Sequence, residues 1–347
     1  MGTPSQTRGF SYVSARSRKI TDERTLDRIQ SLVIPPAWTD VWINRDPRGH
    51  LQATGLDVRS RRQYIYHPAW RALRELHKFE QVAAFARALP RLRRAVTSSL
   101  RTPDLDRDKV SAIVVRLLET SLVRIGSPRY ARDNGSYGLT TLKRAHARVK
   151  GSAVRLAFAG KSGIKQSVRV RDATLARVVS RLQELPGQVL FKYRDAEDRW
   201  RPLRSEDVND YIRTHTDGDY TAKDFRTWIA TQLAVIELAQ EYTPPLETLT
   251  ARRARVVEIV KSVAKRLGNT PAICRKSYIH PRVLDAFLEE KLPAYVPPAK
   301  TPARLSIRHT HAERFVLKFL EGKAKRASTP GQAARIIAAV EKSVAAR

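Results

Sequence analysis

Acidic residues, sulfur and long apolar runs are scarce in this chain. Of its 347 residues only 34 are Asp or Glu, against 65 Lys or Arg, for a formal net charge of +31. There is one cysteine, Cys274. A lone cysteine excludes a disulfide framework and any multi-cysteine zinc site, and it fits a reducing compartment. The eight histidines are scattered, with no HExxH or Cys/His spacing of a metal site. No apolar run approaches the roughly 18 residues of a membrane-spanning helix, so an integral helical membrane protein is not expected. A nucleotide-binding loop is disfavoured too. Gly160-Lys161-Ser162 has the look of one, but the upstream glycine is missing, with Ala at 153 and Arg at 155.

What is present is a basic chain able to fold. The apolar fraction of 42% is too high for a wholly disordered protein. At about 150 residues per domain, two domains are expected. The positive charge calls for a polyanion, of which nucleic acid is the commonest. Its spread along the whole chain favours a folded surface that tracks phosphates. Composition alone leaves a merely adhesive basic protein as an alternative.

Residues 1–20 are basic and Ser-rich, a composition shared by a transit peptide and a flexible arm, and read here as an arm. Residues 21–90 are expected to be a β-rich N-terminal domain. Val41–Asn44, His50–Gly55 and Gln63–Tyr66 read as strands about the turn Arg45–Gly49. A helical pattern follows over Pro68–Ala88, with Trp70, Leu73, Leu76 and Phe79 three apart. The domain boundary is expected within this helical stretch or just after it, around Ala88 to Asp106.

Residues 91–292 read as a mainly helical domain. Helices are expected over Asp106–Ser121, Ala173–Glu184, Ser205–Ile212 with Ser205 as N-cap, Lys223–Glu241, Glu247–Leu267 and Pro281–Glu290. Val154–Phe158 and Ile164–Val168 flank Gly160-Lys161-Ser162-Gly163 as a β-hairpin with Lys161 at its turn. Residues 293–347 combine a Pro-rich linker with a basic tail, expected to form helices over His311–Glu321 and Gly331–Val344. That tail reads either as a source of nonspecific DNA affinity or as a solvated helical pair. No internal repeat is visible.

Five short sequences stand out: Leu122-Val123-Arg124-Ile125-Gly126-Ser127-Pro128-Arg129-Tyr130, Phe158-Ala159-Gly160-Lys161, Lys223-Asp224-Phe225-Arg226-Thr227-Trp228, Leu267-Gly268-Asn269-Thr270-Pro271 and Arg275-Lys276-Ser277-Tyr278. Ile34-Pro35-Pro36-Ala37-Trp38 and Tyr137-Gly138-Leu139-Thr140-Thr141-Leu142 accompany them. Taken singly, each residue has a plain structural reading. Arg124 could cap a helix, Lys161 could be a solvated turn lysine and Arg226 a surface residue. Tyr278 could belong to the core, and Asn269 could shape a turn. Taken together and in this order, over roughly Leu32 to Leu292, they resemble the type IB DNA topoisomerases of the poxvirus-like and bacterial branch.

The resemblance implies an α+β fold. A small β-rich N-terminal domain and a larger, mainly α-helical catalytic domain related to the tyrosine recombinase fold would form a bilobed clamp around duplex DNA. Tyr278 would attack a phosphodiester, hold the 3′ phosphate and release a 5′ hydroxyl. Arg124 and Arg226 would stabilise charge on the non-bridging oxygens, and Lys161 would protonate the leaving oxygen. Asn269 stands where viral members carry a histidine. An amide can donate one hydrogen bond there but cannot carry a proton. Neither cofactor nor metal is implied.

Further DNA contacts are expected from Gln63, Tyr64 and Tyr66 on a strand facing the major groove, with Arg61 and Arg62 just before it. Tyr130, Arg132, Tyr137 and Lys276 are assigned to the same role. For Tyr64 and Tyr66, packing on the sheet is an equal alternative. The implied partner is duplex DNA, preferably supercoiled, bound by a monomer in the bacterial cytoplasm at the nucleoid. Two rivals stay open. A tyrosine recombinase uses a similar kit but usually carries His-x-x-Arg where this chain has Lys223-Asp224-Phe225-Arg226. A non-catalytic basic DNA-binding protein would form no covalent adduct.

Overall fold

The computed structural model describes residues 10–14, 16–240, 248–294 and 310–322. These divide into two units between Lys78 and Phe79. In the first unit, the described residues ahead of position 21 fold back on themselves. Val13 bridges Lys19 in antiparallel fashion, and the Ile20 amide donates to the Tyr12 carbonyl at 2.9 Å. Helix α1 (Glu23–Ser31), not expected from the sequence, starts at Asp22, whose carboxylate accepts from the Thr25 amide. Strands β1 (Thr39–Ile43), β2 (Leu51–Leu56) and β3 (Arg62–Tyr66) form an antiparallel sheet in that order. Gln52, buried on β2, explains the turn before it, because its amide donates to the carbonyls of Asp46, Pro47 and Gly49. Arg28 of α1 donates to Gln52 Oε1 and to the Asn44 carbonyl, tying helix to sheet.

Helix α2 (Pro68–Ser99) does not stop near Ala88. It continues through Pro90, and the division between the two units lies within it. An interior proline costs ~3 kcal/mol by removing a backbone bond. The stripe Phe79, Val82, Phe85, Ala86, Leu89, Leu92 and Val96, all buried, offsets this, since each large apolar side chain contributes about 1.5–3 kcal/mol.

The second unit surrounds two buried helices, α3 (Arg107–Ser121) and α7 (Ala222–Leu238). Helix α3 is capped by Asp106 and buries Val110, Ile113, Val114, Leu117 and Leu118 as its periodicity foretold. In chain order follow α4 (Pro128–Asn134), β4 (Ala147–Lys150), β5 (Ala153–Ala159), β6 (Lys165–Arg171) and α5 (Ala173–Glu184). The expected hairpin is therefore two strands of a three-stranded antiparallel sheet, to which β4 adds an edge. A second hairpin, β7 (Lys192–Arg194) and β8 (Trp200–Pro202), was not expected. Helix α6 (Ser205–Thr216) begins one residue earlier than foreseen. Ser205 is its first residue, and the Arg204 amide donates to Asp207 Oδ2 at 2.8 Å.

Beyond α7 come α8 (Leu249–Leu267), α9 (Pro271–Ser277), α10 (Pro281–Leu288) and α11 (Thr310–Glu321). Helix α11 is not a solvated helix. Ala312, Val316 and Leu320 are buried on one face, and Arg93 of α2 grips both Glu313 oxygens and Glu119. The linker from Tyr295 onward and the expected helix over Gly331–Val344 lie outside the described residues.

Candidate active site

Arg226 belongs to α7, a helix apolar nearly all round and thus a core helix. Its start is set by Asp224, whose carboxylate accepts from the Thr221 amide at 2.8 Å. Arg226 is 5% exposed, which rules out the surface reading. Its guanidinium is held by the ends of two other helices. One nitrogen donates to the Leu122 carbonyl after α3, and the other to the Leu267 carbonyl of α8 at 2.7 Å. Both helices end in a left-handed residue, Leu122 (φ 60°) and Gly268 (φ 59°). Such endings leave terminal carbonyls facing outward for a side-chain donor.

Arg124 lies just past that first ending, but it does not cap its own helix. It reaches the α8 end, donating to the Gly268 carbonyl at 2.9 Å and to Asn269 Oδ1. The segment that carries it is fixed by residues 138–140: the Leu139 amide donates to the Arg124 carbonyl and the Thr140 amide to Ile125. Gly138 is required by close approach, since a Cβ there would lie 2.5 Å from Gly126 backbone atoms. The Tyr137–Leu142 motif therefore acts as a backbone brace for Arg124.

Tyr278 follows α9 directly. The Thr231 hydroxyl, fully buried on α7, donates to the Tyr278 carbonyl at 3.2 Å and accepts from the His280 amide at 3.1 Å. One helix thus holds both Arg226 and the backbone around Tyr278. The Arg226 guanidinium carbon is 5.3 Å from the Tyr278 ring centre. Thr231 escaped the sequence reading. Its signal was a hydroxyl within the apolar run of α7.

Charge in this pocket is one-sided. Burial pulls both the Arg226 and Arg124 guanidiniums below the ordinary arginine range, and Arg124 lowers Arg226 further by like-charge repulsion. Among the described residues no carboxylate pairs with either. Arginine stays charged regardless. Two buried donors also lack an acceptor, Arg226 Nε and Asn269 Nδ2. Orphaned buried donors are costly, and here they point to an acceptor that arrives from outside. Cys274 is buried beside them, its thiol pushed up to about 11 by desolvation.

Lys161 is not gathered into this cluster. It sits exposed in the turn after β5, where Gly160 donates to the Ile164 carbonyl at 2.8 Å. Gln166 of β6 connects the two places. A Cβ on Gly160 would lie 2.9 Å from Gln166 Cγ, and one on Gly268 would lie 3.1 Å from Gln166 Nε2. Nothing in the sequence marked Gln166 beyond its place in an alternating strand.

In the first unit, Tyr64 and Tyr66 stack on one face of β3, ring centres 6.1 Å apart, with Tyr64 half exposed. Strand alternation puts Gln63 on the opposite face, where its amide donates to Asp57. Gln63 and the tyrosines therefore do not share one surface. Arg61 also pairs with Asp57, holding that carboxyl well below its usual range, and Arg62 pairs with Asp40. In the second unit Tyr130 and Arg132 are exposed on α4, and Lys276 is exposed on α9. Tyr137 is part-buried against His146, ring centres 4.6 Å apart.

Comparison with known proteins agrees with this architecture. Residues 67–294 match the model of the eukaryotic DNA topoisomerase I catalytic core, and residues 9–57 match the N-terminal domain of bacterial DNA topoisomerase IB. The chain is 29% identical to DNA topoisomerase 1B of Acanthamoeba polyphaga mimivirus, over 80% of this chain and 84% of that protein. It is 20% identical to DNA topoisomerase 1B of vaccinia virus, over 76% of this chain and 82% of that protein. With its catalytic core and N-terminal domain both matched, the chain belongs to the type IB DNA topoisomerases, isomerases acting on DNA.

Proposed function

We propose that this enzyme relaxes supercoiled duplex DNA by cutting and resealing one strand through a 3′-phosphotyrosyl intermediate, without ATP or a divalent metal. The Tyr278 oxygen attacks the scissile phosphorus, and its proton passes to solvent water. The bond from phosphorus to the 5′ oxygen breaks, and Lys161 delivers a proton to that oxygen. Religation reverses each transfer. The ester conserves the bond energy, so no external energy source is required.

The observation that carries this reading is the donor set beside Tyr278. Arg226 and Arg124 bring positive charge without a carboxylate, and Arg226 Nε and Asn269 Nδ2 have no acceptor. Such a set is complementary to the oxyanions of a pentacoordinate phosphorus. Because Asn269 Oδ1 accepts from Arg124, its NH₂ group is left to donate to phosphate. The turn of Lys161 and the stacked Tyr64 and Tyr66 suit the minor and major grooves, with the two units closing as a clamp around the duplex. Lys223 in place of the recombinase histidine favours relaxation over strand exchange.

Mixing the enzyme with duplex DNA and quenching in detergent is expected to trap a covalent adduct, and relaxation is expected to survive EDTA. Tyr278→Phe should form no adduct while binding duplex nearly normally, since affinity comes mainly from phosphate neutralisation. An adduct with the phenylalanine variant, or a strict need for Mg²⁺ or ATP, would defeat the proposal.

A further inference from the structure

Gln166 takes an inward place on β6 that the core does not need. Alternation turns Gln166, Val168 and Val170 inward, while Lys165, Ser167, Arg169 and Arg171 are exposed. Val168 and Val170 pack on the core of the second unit. Gln166 lies one step further on, part-buried, opposite Phe158 of β5. Among the described residues its amide makes no hydrogen bond. Neither core packing nor a polar partner accounts for this side chain, so its role lies in what it touches.

Its stem runs along the base of the Lys161 turn. A Cβ on Gly160 would stand 2.9 Å from Gln166 Cγ. The Gly160 backbone is extended (φ −89°), so close approach and not conformation calls for glycine there. The amide end reaches the terminus of α8. A Cβ on Gly268 would stand 3.1 Å from Gln166 Nε2 and 3.9 Å from Arg124 Nη1. Residues 267–269 thus receive Arg226, Arg124 and Gln166 together.

The turn itself is closed by its own bonds. The Gly160 amide donates to the Ile164 carbonyl at 2.8 Å, and the Gly163 amide to the Gly160 carbonyl at 3.0 Å. Ser162 (φ 61°) and Gly163 (φ 73°) complete it in left-handed conformations. A turn so closed tilts as a unit, and its tethers decide where Lys161 points. One tether is the Tyr137 amide, which donates to the Ala159 carbonyl at 2.8 Å on the β5 side. A second, on the β6 side, is Gln166. Resting on the acid role proposed for Lys161, we infer that Gln166 is a positioning residue. It braces the Lys161 turn against the end of α8, so that the proton donor and the phosphate-binding donors address one phosphate.

The test compares Q166A, Q166N and Q166M in the full chain by single-turnover cleavage of a short duplex. Q166A and Q166N shorten the brace. Each should be slowed about tenfold, within the ~10²-fold that a 1 Å misplacement can cost. Q166M keeps the length of the brace and should recover most of that loss. A double-mutant cycle then identifies the route. In a K161A background the further change Q166A should cost nothing, because the acid it positions is gone. A tenfold cost that persists in K161A would place Gln166 on the arginine side and overturn the inference. So would Q166M as slow as Q166A, which would make the amide itself a contact to DNA, or parent rates in all three variants. Cleavage by K161A at the parent rate would instead strike the acid role of Lys161, and failure of the parent to form any adduct would strike the relaxation reading itself.

Discussion

Arg226 and Lys161 belong to one resemblance-derived set, yet the protein holds them in opposite ways. Arg226 is buried, bonded to the ends of α3 and α8, and shares α7 with the residue that grips the Tyr278 backbone. Lys161 is exposed in a short turn, and the Gln166 side chain spans from that turn to the pocket. The contrast teaches a division of labour. Groups that stabilise charge gain from being fixed in a water-poor site before the substrate arrives. A group that delivers a proton needs only to reach its oxygen at the right moment.

The sharpest way to break this comparison is to remove each cation and change the leaving group. Arg226→Ala is expected to slow cleavage by about 10³-fold or more, with no rescue by a 5′-phosphorothiolate substrate. Lys161→Ala should be slowed by roughly 10²–10⁴-fold, and the sulfur leaving group, which needs no proton, should restore much of the rate. Equal rescue of both variants would abolish the distinction.

A smaller effect is expected at Asn269. Asn269→Ala should lower single-turnover cleavage about tenfold to a hundredfold, equivalent to ~1.4–2.7 kcal/mol. Asn269→His should retain activity, because an imidazole N–H can donate to the same oxygen. If Asn269 merely shapes the turn, His and Ala will behave alike and the defect will appear as a lower melting temperature.

Gln166→Ala sharpens the comparison from its middle. Freeing the Lys161 turn should cost cleavage about tenfold, or ~1.4 kcal/mol, and the phosphorothiolate substrate should erase that cost. A defect that persists with sulfur would mean that Gln166 supports the arginine side instead.

The smallest expected effect is on stability. His280 caps α10 by accepting from the Arg282 amide, and burial holds its pKa down to about 4. In the unfolded chain it titrates near 6.5. The unfolded state therefore binds the proton first, and stability present above 6.5 is lost as pH falls toward 4. Melting temperatures of the parent and His280→Gln between pH 7 and 5 test this: the parent should lose more than the variant.

Much of the fold was legible because its signals are local. Asp106 before an apolar-periodic run marked α3, and alternation around Gly160–Gly163 marked β5 and β6. Helix α2 was expected only as far as Ala88, whereas it runs on through Pro90 on a buried stripe that depends on partners far along the chain. Helix α11 lies in a tail whose basic composition left two readings open, nonspecific DNA affinity or a solvated helical pair. Its fate was decided by Arg93, more than 200 residues away.

Residue types and their order were enough to establish the chemistry on offer: a tyrosine, two arginines, a lysine and an amide, in a basic chain without a metal-ligand pattern. Those properties are covalent and travel with the sequence. Tertiary structure alone decided that Arg226 is buried between two helix ends, that Asn269 turns its amide nitrogen away from Arg124, and that Thr231 and Gln166 support the site. Strand register and helix docking bring together residues remote in sequence, and only there do burial and repulsion acquire a magnitude.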